Sequence, residues 1–136
     1  MSSQSTPRRP LREKQLKAIL ALPGQQRYEH FIKHVADSLR VWSLRDEAGW
    51  VCSTTDGGTS VLPLWPHPDY ASLAATGGWM GAVPHAIDLR KLMDEMLPDF
   101  RERGVGVLIL PTQDGKGVVP PLDQLLSDLQ EELDKY

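Results

Sequence analysis

Leu62-Pro63-Leu64-Trp65-Pro66-His67-Pro68-Asp69-Tyr70 is the stretch around which the rest of the chain must be laid out. Three prolines, a tryptophan, a histidine and a tyrosine fall in these nine residues. Proline fixes φ and removes a backbone donor, so the segment is stiff before it folds. Ser60 to Leu64 reads as a strand, and Pro63 places that strand at a sheet edge or at the point where it leaves the ladder. Pro68 suits the first position of a helix, where its missing N–H is no loss, and a short helix is predicted from Pro68 to Ala75. The stretch is therefore a rigid corner from strand to helix. Ordering it costs little further entropy, which suits a corner of the core or a recognition surface equally.

Working back from the corner, Asp56-Gly57-Gly58 is a hairpin signal, because glycine supplies positive φ. Trp50 to Thr54 is predicted as the preceding strand, Asp46 to Gly49 as a turn and Val41 to Leu44 as the first strand. Before it, Tyr28, Phe31, Ile32, Val35, Ala36 and Leu39 step by three and four, giving an amphipathic helix over about 25–39. Pro23-Gly24 separates this from a first helix, Leu11 to Leu22, with the narrow stripe Leu16, Ile19 and Leu20. Residues 1–10 read as a tail. Working forward, Thr76-Gly77-Gly78 ends the short helix. Asp88 is an N-cap for a helix to about Leu97, with Leu89, Leu92, Met93, Met96 and Leu97 inward. Pro98 starts a further turn that Gly104 ends. Val105 to Leu110 is a nearly all-apolar run of strand length and is predicted to be central. Asp114-Gly115 and Gly117 mark a turn, Val118-Val119 a brief pairing, and Pro121 the start of a last helix with Leu122, Leu125, Leu126, Leu129 and Leu133 inward. The order of elements predicts an α+β fold, a small mainly antiparallel sheet packed in two layers against helices. Residues 1–24 are expected to be a basic arm and short helix, and 25–136 a single domain.

The chain of 136 residues, with 40% hydrophobic and 24% charged residues, fits one domain with its own core. No apolar run is long enough to cross a bilayer, and the Ser-, Pro- and Arg-rich start has no hydrophobic stretch of a secretory signal. The single Cys52 excludes an internal disulfide and suits a reducing compartment, so a cytoplasmic protein is expected. Charge is uneven. Residues 1–40 carry eight basic and three acidic side chains, and residues 41–136 seven and fifteen. A basic arm can meet nucleic acid, but no nucleic-acid motif accompanies it, and none is expected as a partner.

The chain also resembles a known family. The residues that carry the likeness are the Tyr28-Glu29-His30-Phe31 helix, Val41-Trp42-Ser43-Leu44-Arg45-Asp46 with Gly49-Trp50, the Leu62 to Ala71 corner, Ile87-Asp88-Leu89, Leu97-Pro98 and Pro111-Thr112. They resemble a bacterial family of uncharacterised proteins, domain of unknown function 2750, over about Arg27 to Leu133. The resemblance implies a small cytoplasmic bacterial α+β protein and carries over no catalytic residue.

Candidate chemistry is sparse. His30 and His34 have the spacing of two ligands on one helix face, but the helical wheel turns them to water without a fixed third ligand, and no metal is expected. His67 and His85 each lie near an aspartate, Asp69 and Asp88, and either pair would serve as an oriented acid and base. The competing reading gives the aspartates to helix N-termini. Cys52 reads as a buried structural thiol. Gly104-Val105-Gly106 precedes a strand, and Gly115-Lys116 lacks the phosphate-loop spacing, so no cofactor is expected. Trp42 and Trp50 are expected to be core or half-buried strand residues. Trp65 and Trp79 at loop junctions, with His67 and Tyr70, are the candidate partner-binding residues. The expectation is a non-enzymatic module that binds another protein, with an immunity-like role against a toxin as its sharpest form. A small enzyme using His67 or His85 with Asp69 or Asp88 is the alternative, and a homodimer a further one.

Overall fold

Amphipathic spacing sets the first helices. The computed structural model describes residues 13–112 and 117–136, and in it α1 runs Glu13–Leu20 and α2 Gly24–Ser38. The expectations for residues 1–10 and for the Asp114-Gly115 turn lie outside the described residues. Tyr28, Phe31, Ile32, Val35 and Ala36 bury one face of α2, against Leu125 and Leu129 of the last helix and the apolar side of the sheets. Leu39, assigned to that face by its spacing, is instead the left-handed C-cap, φ 61°, and is exposed. Its carbonyl accepts from the backbone N–H of Leu89 at 3.0 Å, which ties the end of α2 to a later helix.

Among the described residues, six strands form two three-stranded sheets. In the first, β1 (Arg40–Asp46) lies between β2 (Gly49–Trp50) and β5 (Val83–Asp88), antiparallel to both. In the second, β4 (Ser60–Leu64) lies between β3 (Ser53–Thr54), antiparallel, and β6 (Gly106–Ile109), parallel. The sheets meet at a seam. Trp42 and Trp65 exchange both backbone hydrogen bonds at 2.8 Å, and the buried Ser43 hydroxyl donates to the Pro63 carbonyl at 2.6 Å. The parallel β4–β6 pair needs a long crossover. The chain supplies it with α3 (Pro68–Ala74), a 3-10 turn at Gly77–Trp79, β5, and the helical run α4 (Leu89–Lys91), a π segment (Leu92–Met96) and α5 (Leu97–Arg103). The last helix, α6 (Leu122–Leu133), buries Leu125 and Leu129. The result is the expected two-layer α+β fold.

Pro63 takes the second of its two expected places: β4 is paired on both sides, but at Pro63 it has left the β3 ladder. The β3 ladder covers only Ser60 and Val61, and beyond it the Pro63 carbonyl accepts from the Ser43 hydroxyl rather than from a backbone N–H. Three local differences from the sequence reading have physical causes. The predicted strand 50–54 is broken in two, since its first part pairs with β1 and its second with β4. Cys52, in the break next to the buried Val51, is exposed rather than buried. Finally, Pro98 does not start a new turn but lies within a continuous helical run. A proline there has no N–H and crowds the carbonyl four residues back. The chain widens just before it, where the Leu97 N–H reaches the Leu92 carbonyl five residues back, and this π turn relieves the clash.

Candidate functional site

The stiff corner positions the site. The His67 side chain is the N-cap of α3, its Nδ1 accepting the backbone N–H of Asp69 at 3.1 Å, and Pro68 follows at the first turn. An imidazole nitrogen that accepts carries no proton, so the neutral ring bears its hydrogen on Nε2. The Asp69 carboxylate stands 3.7 Å from the same Nδ1, beyond hydrogen-bond reach. A catalytic dyad needs the opposite arrangement, an Nδ1–H donated to the carboxylate. Helix capping, which the sequence reading gave to Asp69, is done here by the histidine ring itself. At the other pair, Asp88 caps α4 by accepting the Lys91 N–H at 3.1 Å. His85, three residues earlier on an extended strand and so on its other face, is exposed and stands edge-on to Trp50 at 6.2 Å. Neither pair has the geometry of an oriented acid and base.

Between α1, α2 and the corner opens a cleft of about 460 Å³. α1 contributes Ala18 and Ile19, α2 contributes His30, His34 and Asp37, and the corner contributes Pro66, His67 and Tyr70. His30 does not face open water, as its place on the helical wheel implied, but is half-buried in this cleft. Its ring packs on His34 with centroids 4.0 Å apart and meets the Tyr70 ring edge-on at 6.4 Å. Burial, with the neighbouring His34 second, pushes the His30 pKa down to about 4, so the ring is neutral at pH 7. Tyr70 is 3% exposed; burial and then the Asp69 charge push its phenol up to about 12. The cleft is thus an aromatic-walled recess with a neutral His30, hydrogen-bonding edges and one carboxylate, Asp37, of a size that ligand and side-chain sites commonly have. Among the described residues, no group of three His, Cys, Asp or Glu side chains is placed to hold a metal ion.

Of the four candidate partner-binding residues, the cleft brings together His67 and Tyr70. Trp65 is corrected by the structure: it is 0% exposed, sealed in the core at the seam between the sheets, and touches no surface. Its burial follows from its backbone, which is locked to Trp42. Trp79 is half-buried and stacks perpendicular to Trp65 at 6.0 Å, away from the cleft. Sequence reasoning missed the gathering of His30, His34 and His67. The signal present was the α1 stripe, whose partner face was not assigned.

The family model described as "Protein of unknown function (DUF2750)" matches residues 28–129. The chain belongs to the DUF2750 family. The matched span holds the α2 and corner walls of the cleft, all six strands and most of α6, whereas α1 precedes it. No curated protein and no solved structure matches the chain. Among the described residues of this DUF2750 member, no helix is long and apolar enough to cross a membrane.

Proposed function

We propose that this protein is a non-enzymatic interaction module that takes part of a partner protein into the cleft between α1, α2 and the Pro66–Tyr70 corner. The observation that supports it is the cleft itself: a largely apolar and aromatic recess walled by Ile19, His30, Pro66 and Tyr70, held by a proline-stiffened corner. Such a wall takes an apolar or aromatic side chain at small ordering cost. Catalysis is disfavoured because the Nδ1 of His67 accepts rather than donates, and because Asp88 is occupied as a cap. A bacterial cytoplasmic setting fits the lone, exposed Cys52, which needs a reducing environment to stay a thiol.

The toxin-neutralising form of the reading has a separate support in charge. A second groove, between the π segment and α6, has Met93 and Leu126 at its base and Asp94, Asp123, Glu131 and Asp134 around it. Nuclease-like toxins are basic, and an acidic face steers such a partner. The two surfaces are separated by capture of partners from the producing cells with three baits. These are wild type, His34→Glu at the mouth of the cleft, and Glu131→Lys with Asp134→Lys on α6. A protein recovered by wild type and by the α6 variant but lost with His34→Glu is the expected result. Recovery unaffected by His34→Glu removes the cleft from the proposal, and loss with the α6 variant alone moves the partner to the acidic face.

A further inference from the structure

We propose that α1 is a displaceable stand-in for a helix of the partner, seated on the docking surface that α2 and the corner provide. This inference rests on the cleft being a binding surface and names the kind of partner element it takes. The sequence of α1, Glu13–Leu20, sets Leu16, Ile19 and Leu20 at helical spacing along one narrow stripe. An isolated helix of eight residues is unstable in water, so α1 is helical because it is docked. Its docking is slight. Leu16 is its one buried residue, Ile19 and Leu20 are half-buried, and the Glu13–Lys17 ion pair at 2.9 Å is solvent-exposed on both sides. α1 also fits its seat poorly, since the cleft of about 460 Å³ remains beneath Ala18 and Ile19. The small Ala18 lines this cleft together with His30 and Tyr70. The seat belongs to the span shared with the family, and α1 lies before that span.

These features describe helix-in-groove recognition with a weak occupant already in place. The partner element is an amphipathic helix with apolar residues at the spacing of Leu16, Ile19 and Leu20. It carries an aromatic or long apolar side chain at the position of Ala18, which enters the cleft. An intramolecular occupant lowers the apparent affinity for such a helix by the fraction of time the seat is empty. Release of α1 therefore raises that affinity without altering the seat.

The test uses the full chain. The Leu16→Asp variant removes the one buried anchor of α1, and Ile19→Ser is the milder companion. The probe is a fluorescent peptide of residues 13–22 carrying Ala18→Phe. Hydrogen exchange in Leu16→Asp is expected to lose protection at Lys17–Leu20 while Phe31–Val35 keep theirs, roughly a tenfold difference in rate or more. Peptide binding is expected to be roughly tenfold tighter to Leu16→Asp than to wild type, with Ile19→Ser between them. Loss of the whole fold in both variants would make α1 part of the core and overturn the proposal. So would a chain that stays folded with α1 still protected, or peptide affinity equal in all three proteins. No natural partner enters this test, so its failure leaves the cleft itself as a docking site, whereas failure of the His34→Glu capture does not.

Discussion

His30 couples packing to pH at the scale of one side chain. Its pKa is pushed down to about 4 by burial and by His34, against about 6.5 for a histidine in an unfolded chain. Between those values the unfolded chain binds the proton and the folded chain does not, so stability rises with pH across this window. The contribution of a neutral His30 is fully present above pH 6.5 and is lost as pH falls toward 4. A half-buried ring is partly screened by water, so the loss is about 1 kcal/mol rather than the full value of the shift. Ring-proton NMR titration should place His30 well below the ordinary 6.5. Urea melts should show the pH dependence between 6.5 and 4 flattened in His30→Gln. A His30 that titrates near 6.5 would mean that α1 leaves the ring in water. Tyr28, on the same helix, shows the complementary case. Its hydroxyl donates to the Asp128 carboxylate at 2.6 Å, and burial with this charge raises its pKa, so the bond between α2 and α6 persists across the neutral range.

At the scale of elements, Asp88 decides between a structural and a chemical reading of its neighbourhood. It ends β5 and caps α4, the first turn of a helical run that continues to Arg103. Asp88→Ala should cost about 1 kcal/mol of stability, as loss of an N-cap does, measured by urea denaturation with an unchanged fold by circular dichroism. A stability equal to wild type would mean that the carboxylate serves something other than the helix. This cap, the α2 stripe, the β4 limits and the α6 stripe were legible because each depends on a local rule: a side-chain acceptor, a 3.6-residue period, or a glycine turn. β5 was not assigned, since Pro84 and the mixed pattern around His85 interrupt alternation, and its pairing to β1 is set by tertiary contact. The site was legible in half. The stiff corner announces itself through its prolines, but whether Trp65 or His30 meets solvent depends on what covers each one. Trp65 is covered by the seam, and His30 by α1, whose docking no periodicity in α2 records.

At the scale of the whole molecule, the seam makes two small sheets one structure. Neither sheet has more than three strands, and β2 and β3 have two residues each, so each sheet depends on the packing around it. What joins them is compact: the Trp42–Trp65 backbone pair and the Ser43 hydroxyl on the Pro63 carbonyl, both in the core. Ser43 is 0% exposed and its partner carbonyl belongs to a buried residue. In Ser43→Ala that carbonyl loses its donor in a place water does not reach, at a cost of about 1–3 kcal/mol. The consequence for cooperativity is more specific than the cost. Trp50 reports on the first sheet and Trp65 on the seam, while far-UV circular dichroism reports chiefly on the helices. If the seam binds the layers into one unit, the fluorescence and circular dichroism midpoints coincide in wild type and shift together in Ser43→Ala. If the sheets are separate units, the fluorescence midpoint in Ser43→Ala moves away from that of circular dichroism. α1 is expected to leave this unit early, because it is held by one buried anchor, Leu16, and borders an unfilled cleft. A cooperative core carrying one loosely held helix is what a docking module with an internal competitor requires.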